Sequence, residues 1–293
     1  MSNRYDRMEL DFEALHDRLG QEPTLHSRVT LRLGLAHRAL HRLHLYTRFA
    51  EAGLLRGWFI EFNDYWTRAL GGRPLKFYDF FYLHSHYRCR FQEIEVAEGA
   101  SAAEFLQAWQ HPANIYLAFG AAYKYAMLPF FHQRFVKYLP RDSRVLEYGC
   151  GVAPVITSLI QSGASRHRFV AADIRGITFH FTKWRLRHRG VHCADLSPGE
   201  DEDLQGPFEA IFLMTVMEHL PRPVEVTRKL LAALKPGGHL IFDYILGEGT
   251  GLDTAEAVAA RQEVLELISD ACTVIEGELR LDASMGITVV RKR

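Results

Sequence analysis

The sequence predicts an α/β protein in which a helical N-terminal region precedes a parallel sheet that ends in an antiparallel hairpin. Before residue 140, apolar residues recur at helical spacing and strand signals are few. After it, short β-rich runs alternate with amphipathic segments, and the last two runs are joined by a stretch too short for a helical crossover. We therefore expect a helical domain over residues 1–139 and a sheet domain over residues 140–293.

The N-terminal region combines helical periodicity with many aromatic residues. The periodicity is clear at Leu31, Leu35 and Ala39 and again at Phe131 and Phe135. Aromatic stripes of this kind usually fill a helical core, which is the interpretation we favour, and an apolar substrate pocket is the alternative. The aromatic residues concerned are Trp58, Phe59, Phe62, Tyr65, Trp66, Phe77, Tyr78, Phe80, Phe81, Tyr82 and Tyr87.

Seven β-rich runs are predicted to form the strands of the second domain. They are Arg144 to Tyr148, Arg168 to Asp173, Val191 to Ala194, Glu209 to Met214, His239 to Tyr244, Cys272 to Glu276 and Ile287 to Arg291. The predicted helices between them are Val152 to Ser162, Gly176 to Arg189, Arg222 to Leu234 and Thr254 to Ser269. The segment Lys235-Pro236-Gly237-Gly238 is predicted to end a helix and turn directly into the next strand.

Composition and charge exclude several classes of protein. The 293 residues include 35 Lys plus Arg and 35 Asp plus Glu, so no net positive field favours nucleic acid or an anionic membrane. The longest apolar run, Ala210 to Met217, is far shorter than the ~20 residues that span a bilayer, and no signal peptide is recognised. The four cysteines form no C-x-x-C pair. We expect a cytoplasmic protein with neither a disulfide framework nor a nucleic-acid partner.

The turn after the first strand is the main candidate ligand site. Gly149 and Gly151 let the backbone approach a nucleotide-like ligand closely, but Pro154 at the third fingerprint position disfavours a pyrophosphate. Asp173 ends the second strand about 20 residues later, where a carboxylate meets a ribose diol. Glu147 adds negative charge that suits a cationic cofactor, although a salt bridge at a loop or helix end is an equal alternative.

Together these residues resemble the class I S-adenosylmethionine methyltransferases. Val145 to Gly151 matches the family motif V-L-E-x-G-C-G, and Leu234 to Gly238 matches its L-K-P-G-G turn. Met217 to Pro221 is similar to the E-H segment of quinone and small-molecule methyltransferases. The resemblance covers the second half of the chain and implies a Rossmann-like seven-stranded sheet with S-adenosylmethionine as the cofactor. The residues implied to hold it are Glu147, Tyr148, Gly149, Cys150, Gly151, Asp173 on the ribose, Ile174, Asp195 on adenine N6, Leu196, Met214, Thr215 and Tyr125.

The same resemblance directs attention to Glu218 and His219 as catalytic residues. A sulfonium is already an activated electrophile, so the enzyme mainly aligns the reactants, and a nearby base removes the proton of the acceptor. His219 is the first candidate for this base, and a role in stabilising the loop is the alternative. Some relatives with E-x-x-E-H bind a divalent ion here, but Thr215 stands at the first acidic position in this chain, so we expect no required metal.

Two histidine clusters and one basic segment lie outside these motifs. His37, His41 and His44 share one predicted helix face, whereas His84, His86 and Cys89 lie near aromatic residues. We interpret the first as a solvated or structural face, and the second as weakly favouring an acceptor pocket over a metal site. The basic segment Lys183 to Arg189 is interpreted as the solvated face of a helix.

The expected activity is methyl transfer to a small-molecule acceptor. O-methylation of a hydroxylated aromatic or natural product is the leading form, with N- or C-methylation close behind. A transferase that uses the cofactor without methylating, as in cyclopropane formation or aminopropyl transfer, and a non-catalytic cofactor-binding protein stay open. A homodimer is possible because the aromatic helices offer an interface.

Overall fold

The computed structural model describes residues 58–75, 79–94, 96, 100–127, 132–196, 204, 206–247 and 252–293. The histidine face His37, His41 and His44 therefore lies outside the described residues. The chain divides into two compact units. The first holds the described residues up to 93 and those of 111–129, and the second holds 94–110 and 130–293.

After residue 140 the chain is built mainly of strands and the helices between them. The α-helices are α1 (Trp58–Arg68), α2 (Asp79–Gln92), α3 (Ala102–Trp109), α4 (Tyr116–Met127), α5 (Pro154–Gln161), α6 (Ile177–Leu186), α7 (Pro223–Ala233), α8 (Ala255–Ala259) and α9 (Arg261–Ala271). The strands are β1 (Arg144–Tyr148), β2 (Arg168–Asp173), β3 (His192–Asp195), β4 (Phe208–Leu213), β5 (Leu234–Tyr244), β6 (Cys272–Glu276) and β7 (Met285–Lys292). Short 3-10 helices cover Pro112–Ile115, Gln133–Tyr138 and Met217–His219.

The first unit has an aromatic core. Phe119 on α4 is fully buried, and the ring centroids of Phe62 and Trp66 on α1 lie 4.7 Å and 5.5 Å from its own. Tyr87 on α2 stacks on the same ring at 5.9 Å. The inward residues of α1 follow the helical repeat, so they form one apolar face, which packs against α4. The prediction that these aromatic residues fill a helical core is confirmed for α1.

The second unit is built on a seven-stranded sheet of order β3-β2-β1-β4-β5-β7-β6. The strands from β3 to β5 pair in parallel, whereas β7 pairs antiparallel with both β5 and β6. The central strands are buried on both faces, which is why their sequences are continuously apolar. The prediction of seven strands with a terminal antiparallel hairpin is confirmed.

Two predictions at the C-terminal end need correction. A single helix over Thr254 to Ser269 is wrong, because Ala260 has a ψ of −1°, which ends α8 before α9 begins at the next residue. Strand β5 begins at Leu234 rather than His239, since Leu234 pairs with Phe208 before the register shifts to His239. The intervening residues bulge through Gly237 at φ +77°, a left-handed conformation that glycine tolerates.

Apolar side chains cover both faces of the sheet. One cluster includes Leu146, Phe242 and Ile268, and the other includes Val145, Ile156 and Phe212. All four cysteines are free. In the part of the chain that the structure describes, no helix is long and apolar enough to cross a membrane.

Candidate functional site

The predicted cofactor residues follow four neighbouring strands. Each of these strands carries predicted residues at its carboxyl end or directly after it. They are Tyr148 to Gly151 at β1, Asp173 and Ile174 at β2, Asp195 and Leu196 at β3, and Met214 and Thr215 at β4. These strands are parallel, so their carboxyl ends meet at one edge of the sheet. The strand order reverses between β1 and β4, and ligands of open α/β sheets bind at such a switch point.

The glycine turn combines tight packing on one side with open space on the other. Gly149 and Gly151 have φ values of +62° and +51°, which favour glycine. A Cβ at Gly149 would lie 2.6 Å from a methyl group of Val216, so this glycine is needed for packing. Beside Gly151 no described heavy atom lies within 4 Å of the corresponding position. A ligand can therefore approach the backbone at Gly151.

Asp173 ties the end of β2 to the glycine turn. Its carboxylate accepts hydrogen bonds from the backbone N–H of Gly151 and, at 2.7 Å, from that of Ile174. Burial raises the pKa of Asp173 to about 6, although these two N–H groups favour the charged form and oppose the shift. The carboxylate thus holds the turn and remains at the edge where a ribose is expected.

Glu147 lies beneath the turn and caps the next helix. Its two carboxylate oxygens accept from the N–H groups of Val155 at 3.1 Å and Ile156 at 2.8 Å, in the first turn of α5. The residue is only 3% exposed. Burial raises its pKa to about 8, against the helix N–H groups and the nearby Arg185. Of the two interpretations of Glu147, this geometry supports the contact at a helix end.

Two features of this turn could not be anticipated from the motif. Ala153, immediately before α5, has a φ of +50°, a strained conformation for a residue with a Cβ, and it is fully buried. Arg185 on α6 is 6% exposed and donates to the carbonyls of Val152 and Ala153. The prediction that the basic segment is a solvated face is therefore wrong at Arg185, because it supplies donors to carbonyls that water does not reach.

The end of β3 carries an ion pair. The guanidinium of Arg175, two residues beyond β2, contacts the carboxylate of Asp195, and Lys183 Nζ lies 3.9 Å from the same oxygen. The backbone N–H of Leu196 donates to the carbonyl of Asp173 at 3.0 Å, which fixes the two strand ends together. Asp195 thus lies at this edge of the sheet, with Arg175 as its partner.

The end of β4 is also conformationally unusual. Thr215 has a φ of +55°, and its N–H donates to Asp243 on β5 at 2.5 Å. Met214 is half-buried and packs against the core. Tyr125 lies on α4, but its side chain is outside the described part of the structure.

Glu218 and His219 occupy the 3-10 helix that follows β4. The Nδ1 atom of His219 lies 3.0 Å from the carbonyl of Leu252 and 3.1 Å from a carboxylate oxygen of Asp253. Its ring meets the Trp109 ring edge-on at 4.8 Å, and its Nε2 lies 3.9 Å from Glu218. The role of Asp253 as the partner of Nδ1 was missed, because residues 34 positions apart carry no joint sequence signal.

Burial shifts both of these titratable groups toward their neutral forms. It lowers the pKa of His219, against the opposing effects of the Leu252 carbonyl and Asp253. It also raises the pKa of Glu218 to about 7, with a further contribution from Asp243 and Asp253. A neutral imidazole whose Nδ1 is held by acceptors leaves Nε2 as the basic nitrogen.

The other candidate cluster does not resemble a metal site. On α2, burial lowers the pKa of His84 to about 4, and its ring contacts that of Tyr116 at 5.9 Å. Within the described residues, no group of three or more His, Cys, Asp or Glu side chains is placed to hold a metal ion.

The chain is similar in sequence to one protein family and to several curated proteins. Residues 120–270, just over half of the chain, match the profile of a family described as "Methyltransferase domain". The chain is 31% identical over 105 residues to the ubiquinone biosynthesis O-methyltransferase of Xanthomonas axonopodis pv. citri, covering 34% of this chain and 42% of the relative. It is 28% identical over 112 residues to the protein of that name from Ralstonia nicotianae, covering 35% and 43%.

Similarity also extends to solved structures. The chain is 18% identical to the 1,6-didemethyltoxoflavin-N1-methyltransferase of Burkholderia thailandensis, with a TM-score of 0.44, covering 68% of this chain and 93% of that one. The chain spans about two fifths of the length of the two curated relatives above.

Proposed function

The chain belongs to the methyltransferase-domain family, and from this membership we propose that it transfers the methyl group of S-adenosylmethionine to a small-molecule acceptor. The observation that carries the proposal is the glycine turn at the switch point of the sheet, open at Gly151 and held by the buried Glu147 and the half-buried Asp173.

The residues at this edge fit that cofactor better than a dinucleotide. The space beside Gly151 admits a ligand against the backbone, and Asp173 places a hydrogen-bond acceptor next to it, as a ribose diol requires. Asp195 at the neighbouring strand end is suited to accept from an adenine amino group. The carboxylate of Asp173 beside the turn favours a cationic ligand and disfavours phosphates, which it would repel.

When bound, the cofactor supplies an activated methyl group on a sulfonium. The protein then has two tasks, which are to align the acceptor with that methyl group and to remove the acceptor proton. For the second task we propose His219. Asp253 and the Leu252 carbonyl orient its Nδ1, which leaves Nε2 to accept the proton, and burial lowers the pKa of the imidazole, which favours the neutral form that can accept a proton.

O-methylation of a hydroxylated aromatic or natural product is the form of the reaction that we favour. The two ubiquinone-biosynthesis relatives are named O-methyltransferases, and a hydroxyl acceptor is one that needs the base just described. The alternatives differ in product: N- or C-methylation gives a methylated amine or carbon, and the non-methylating transferases leave no methyl group on the acceptor.

Incubation with methyl-labelled S-adenosylmethionine and a panel of phenols, amines and lipids tests this function. We expect label in at least one phenol together with an equal amount of S-adenosylhomocysteine. Binding of the cofactor without turnover on any acceptor would instead favour a non-catalytic cofactor-binding protein. Label that appears only in amines would replace the O-methylation proposal with N-methylation.

A further inference from the structure

Helix α3 precedes the sheet in the sequence but belongs to the same compact unit as the sheet. Its start is fixed by a capping box, in which the Ser101 hydroxyl accepts from the N–H of Glu104 at 3.3 Å and the Glu104 carboxylate accepts from the N–H of Ser101 at 2.8 Å. Its end is fixed by the N–H of Gln110, which donates to the Leu106 carbonyl at 3.0 Å. Trp109 is therefore held as the last residue of a short, capped helix.

Trp109 bridges the strand ends on either side of β1. A Cβ on Gly176, which follows β2, would lie 3.8 Å from the Trp109 carbonyl oxygen, so the end of α3 packs close to that loop. The Trp109 ring meets the ring of His219, which follows β4, with 4.8 Å between centroids and an interplanar angle of 62°. Because β2 and β4 are the two neighbours of β1, Trp109 reaches across the edge of the sheet that carries the glycine turn.

Hydrogen-bond acceptors hold the imidazole of His219 at Nδ1. The Leu252 carbonyl lies 3.0 Å from this atom and a carboxylate oxygen of Asp253 lies 3.1 Å from it. The segment that carries them is itself fixed, because the N–H of Thr254 donates to the Glu218 carbonyl at 2.9 Å. These contacts set the place of Nδ1, but the second side-chain torsion of histidine is broad, so the ring plane needs a further contact to define it. The Trp109 ring supplies that contact.

The Trp109 ring also covers part of the imidazole. The His219 side chain is 25% exposed, and Trp109 is half-buried. The carboxylates that face the imidazole are those of Asp253 and of Glu218, which lies 3.9 Å from Nε2. Burial lowers the pKa of His219, although the Leu252 carbonyl and Asp253 favour the charged ring. The indole contributes to this burial because it contacts the imidazole directly.

We propose that Trp109 is a positioning residue for His219, whose indole fixes the plane of the imidazole and shields it from water. Trp109 acts through His219 and needs no contact with the cofactor or the acceptor. The inference rests on the proposed function only in taking His219 to be the base that removes the acceptor proton. It assigns to α3, a helix far from the glycine motif in the sequence, a part in the alignment of that base.

The titration of His219 tests this role without cofactor or acceptor. In the full chain with isotope-labelled histidine, the His219 signal is assigned by its loss in His219→Gln and is followed by NMR as a function of pH. We expect the midpoint to rise toward that of an exposed histidine in Trp109→Ala, because water then reaches the imidazole. Trp109→Phe keeps an aromatic ring and should keep the wild-type midpoint. The matched control is Trp184→Ala, which removes a half-buried tryptophan that packs against Arg187 and should also leave the midpoint unchanged.

Kinetics separates positioning from a role in cofactor binding. Trp109→Ala should lower kcat at least about tenfold, because a misaligned base is costly, while the Kd of S-adenosylmethionine stays within about twofold of the wild-type value. Trp109→Phe should recover most of this kcat.

Three results would overturn the role of Trp109: an unchanged or lowered midpoint of His219 in folded Trp109→Ala, an equal rise in Trp184→Ala, or a loss of cofactor affinity with unchanged kcat. If Trp109→Ala does not fold, Trp109→Leu takes its place with the same expected directions. Because the pH titration needs no turnover, a failure of the methyl-transfer experiment leaves its result interpretable.

Discussion

Glu147, the buried cap of helix α5, should make the stability of the protein depend on pH in a way that an exposed carboxylate does not. In the folded chain burial raises its pKa from 4.5 to about 8, so the group stays protonated over a range in which the unfolded chain has already lost the proton. A group whose pKa is higher in the folded state than in the unfolded state stabilises the fold at low pH, and this stabilisation is lost as the pH rises through the pKa of the folded state. Each unit of difference corresponds to about 1.36 kcal/mol, so the contribution falls by about 3 kcal/mol between pH 5 and pH 8.

Glu147→Gln removes this titration while it keeps the size of the side chain. The amide oxygen can accept from only one of the two N–H groups of α5, so a constant offset in the free energy of unfolding is expected at every pH. The informative quantity is the difference between wild type and variant, measured by urea unfolding at pH 5 and pH 8. We expect the difference to move by about 3 kcal/mol in favour of the variant at pH 8. A difference that stays constant between pH 5 and pH 8 would refute the buried, protonated cap.

Three further predictions concern the same edge of the sheet. Ala153→Gly should change the free energy of unfolding by less than about 1 kcal/mol, because relief of the strain at φ +50° offsets the lost burial of the methyl group and the added freedom of the unfolded chain, and a loss of about 2 kcal/mol or more in urea unfolding would contradict the left-handed conformation. Arg185→Met should lower the free energy of unfolding by about 1–3 kcal/mol, because the carbonyls of Val152 and Ala153 lose their donor, and it should also weaken S-adenosylmethionine binding. The control is Arg187→Met at an exposed neighbouring position, which should change neither the stability nor the binding. His219→Ala should lower kcat by about 10²–10⁴-fold with unchanged cofactor affinity and remove the acidic limb of the pH–rate profile, whereas full activity would eliminate His219 as the base.

The strands and the terminal hairpin could be predicted because each strand carries a local signal, whereas the order of the strands in the sheet could not. The runs at β1, β2 and β6 are apolar or β-branched and flanked by turn residues, and their bounds agree with the structure. Parallel pairing is expected where a predicted helix separates two strands, as between β1 and β2, β2 and β3, and β4 and β5, and the terminal hairpin follows from a connection too short for a helix. The glycine turn follows the first strand, so its location at the carboxyl end of that strand could be predicted from the same local signals.

The contacts that hold the site together could not be predicted in this way. Arg185 stands among exposed basic residues in the sequence, and only the packing of α6 turns it toward the carbonyls of the glycine turn. Ala153 has no intrinsic preference for a left-handed backbone, so tertiary packing must impose it. Asp253 and Arg261 meet their partners across separations that leave no periodic pattern.

The central claim is that the turn at Gly151 and Asp173 holds S-adenosylmethionine. Calorimetric titration of the wild type and of Asp173→Ala with this cofactor, with NAD as the comparison ligand, tests it most directly. We expect one bound S-adenosylmethionine per wild-type chain and no measurable binding of NAD. In Asp173→Ala the affinity for S-adenosylmethionine should be at least tenfold weaker, which corresponds to about 1.4 kcal/mol. Unchanged affinity in a folded Asp173→Ala protein, or tighter binding of NAD than of S-adenosylmethionine, would contradict it.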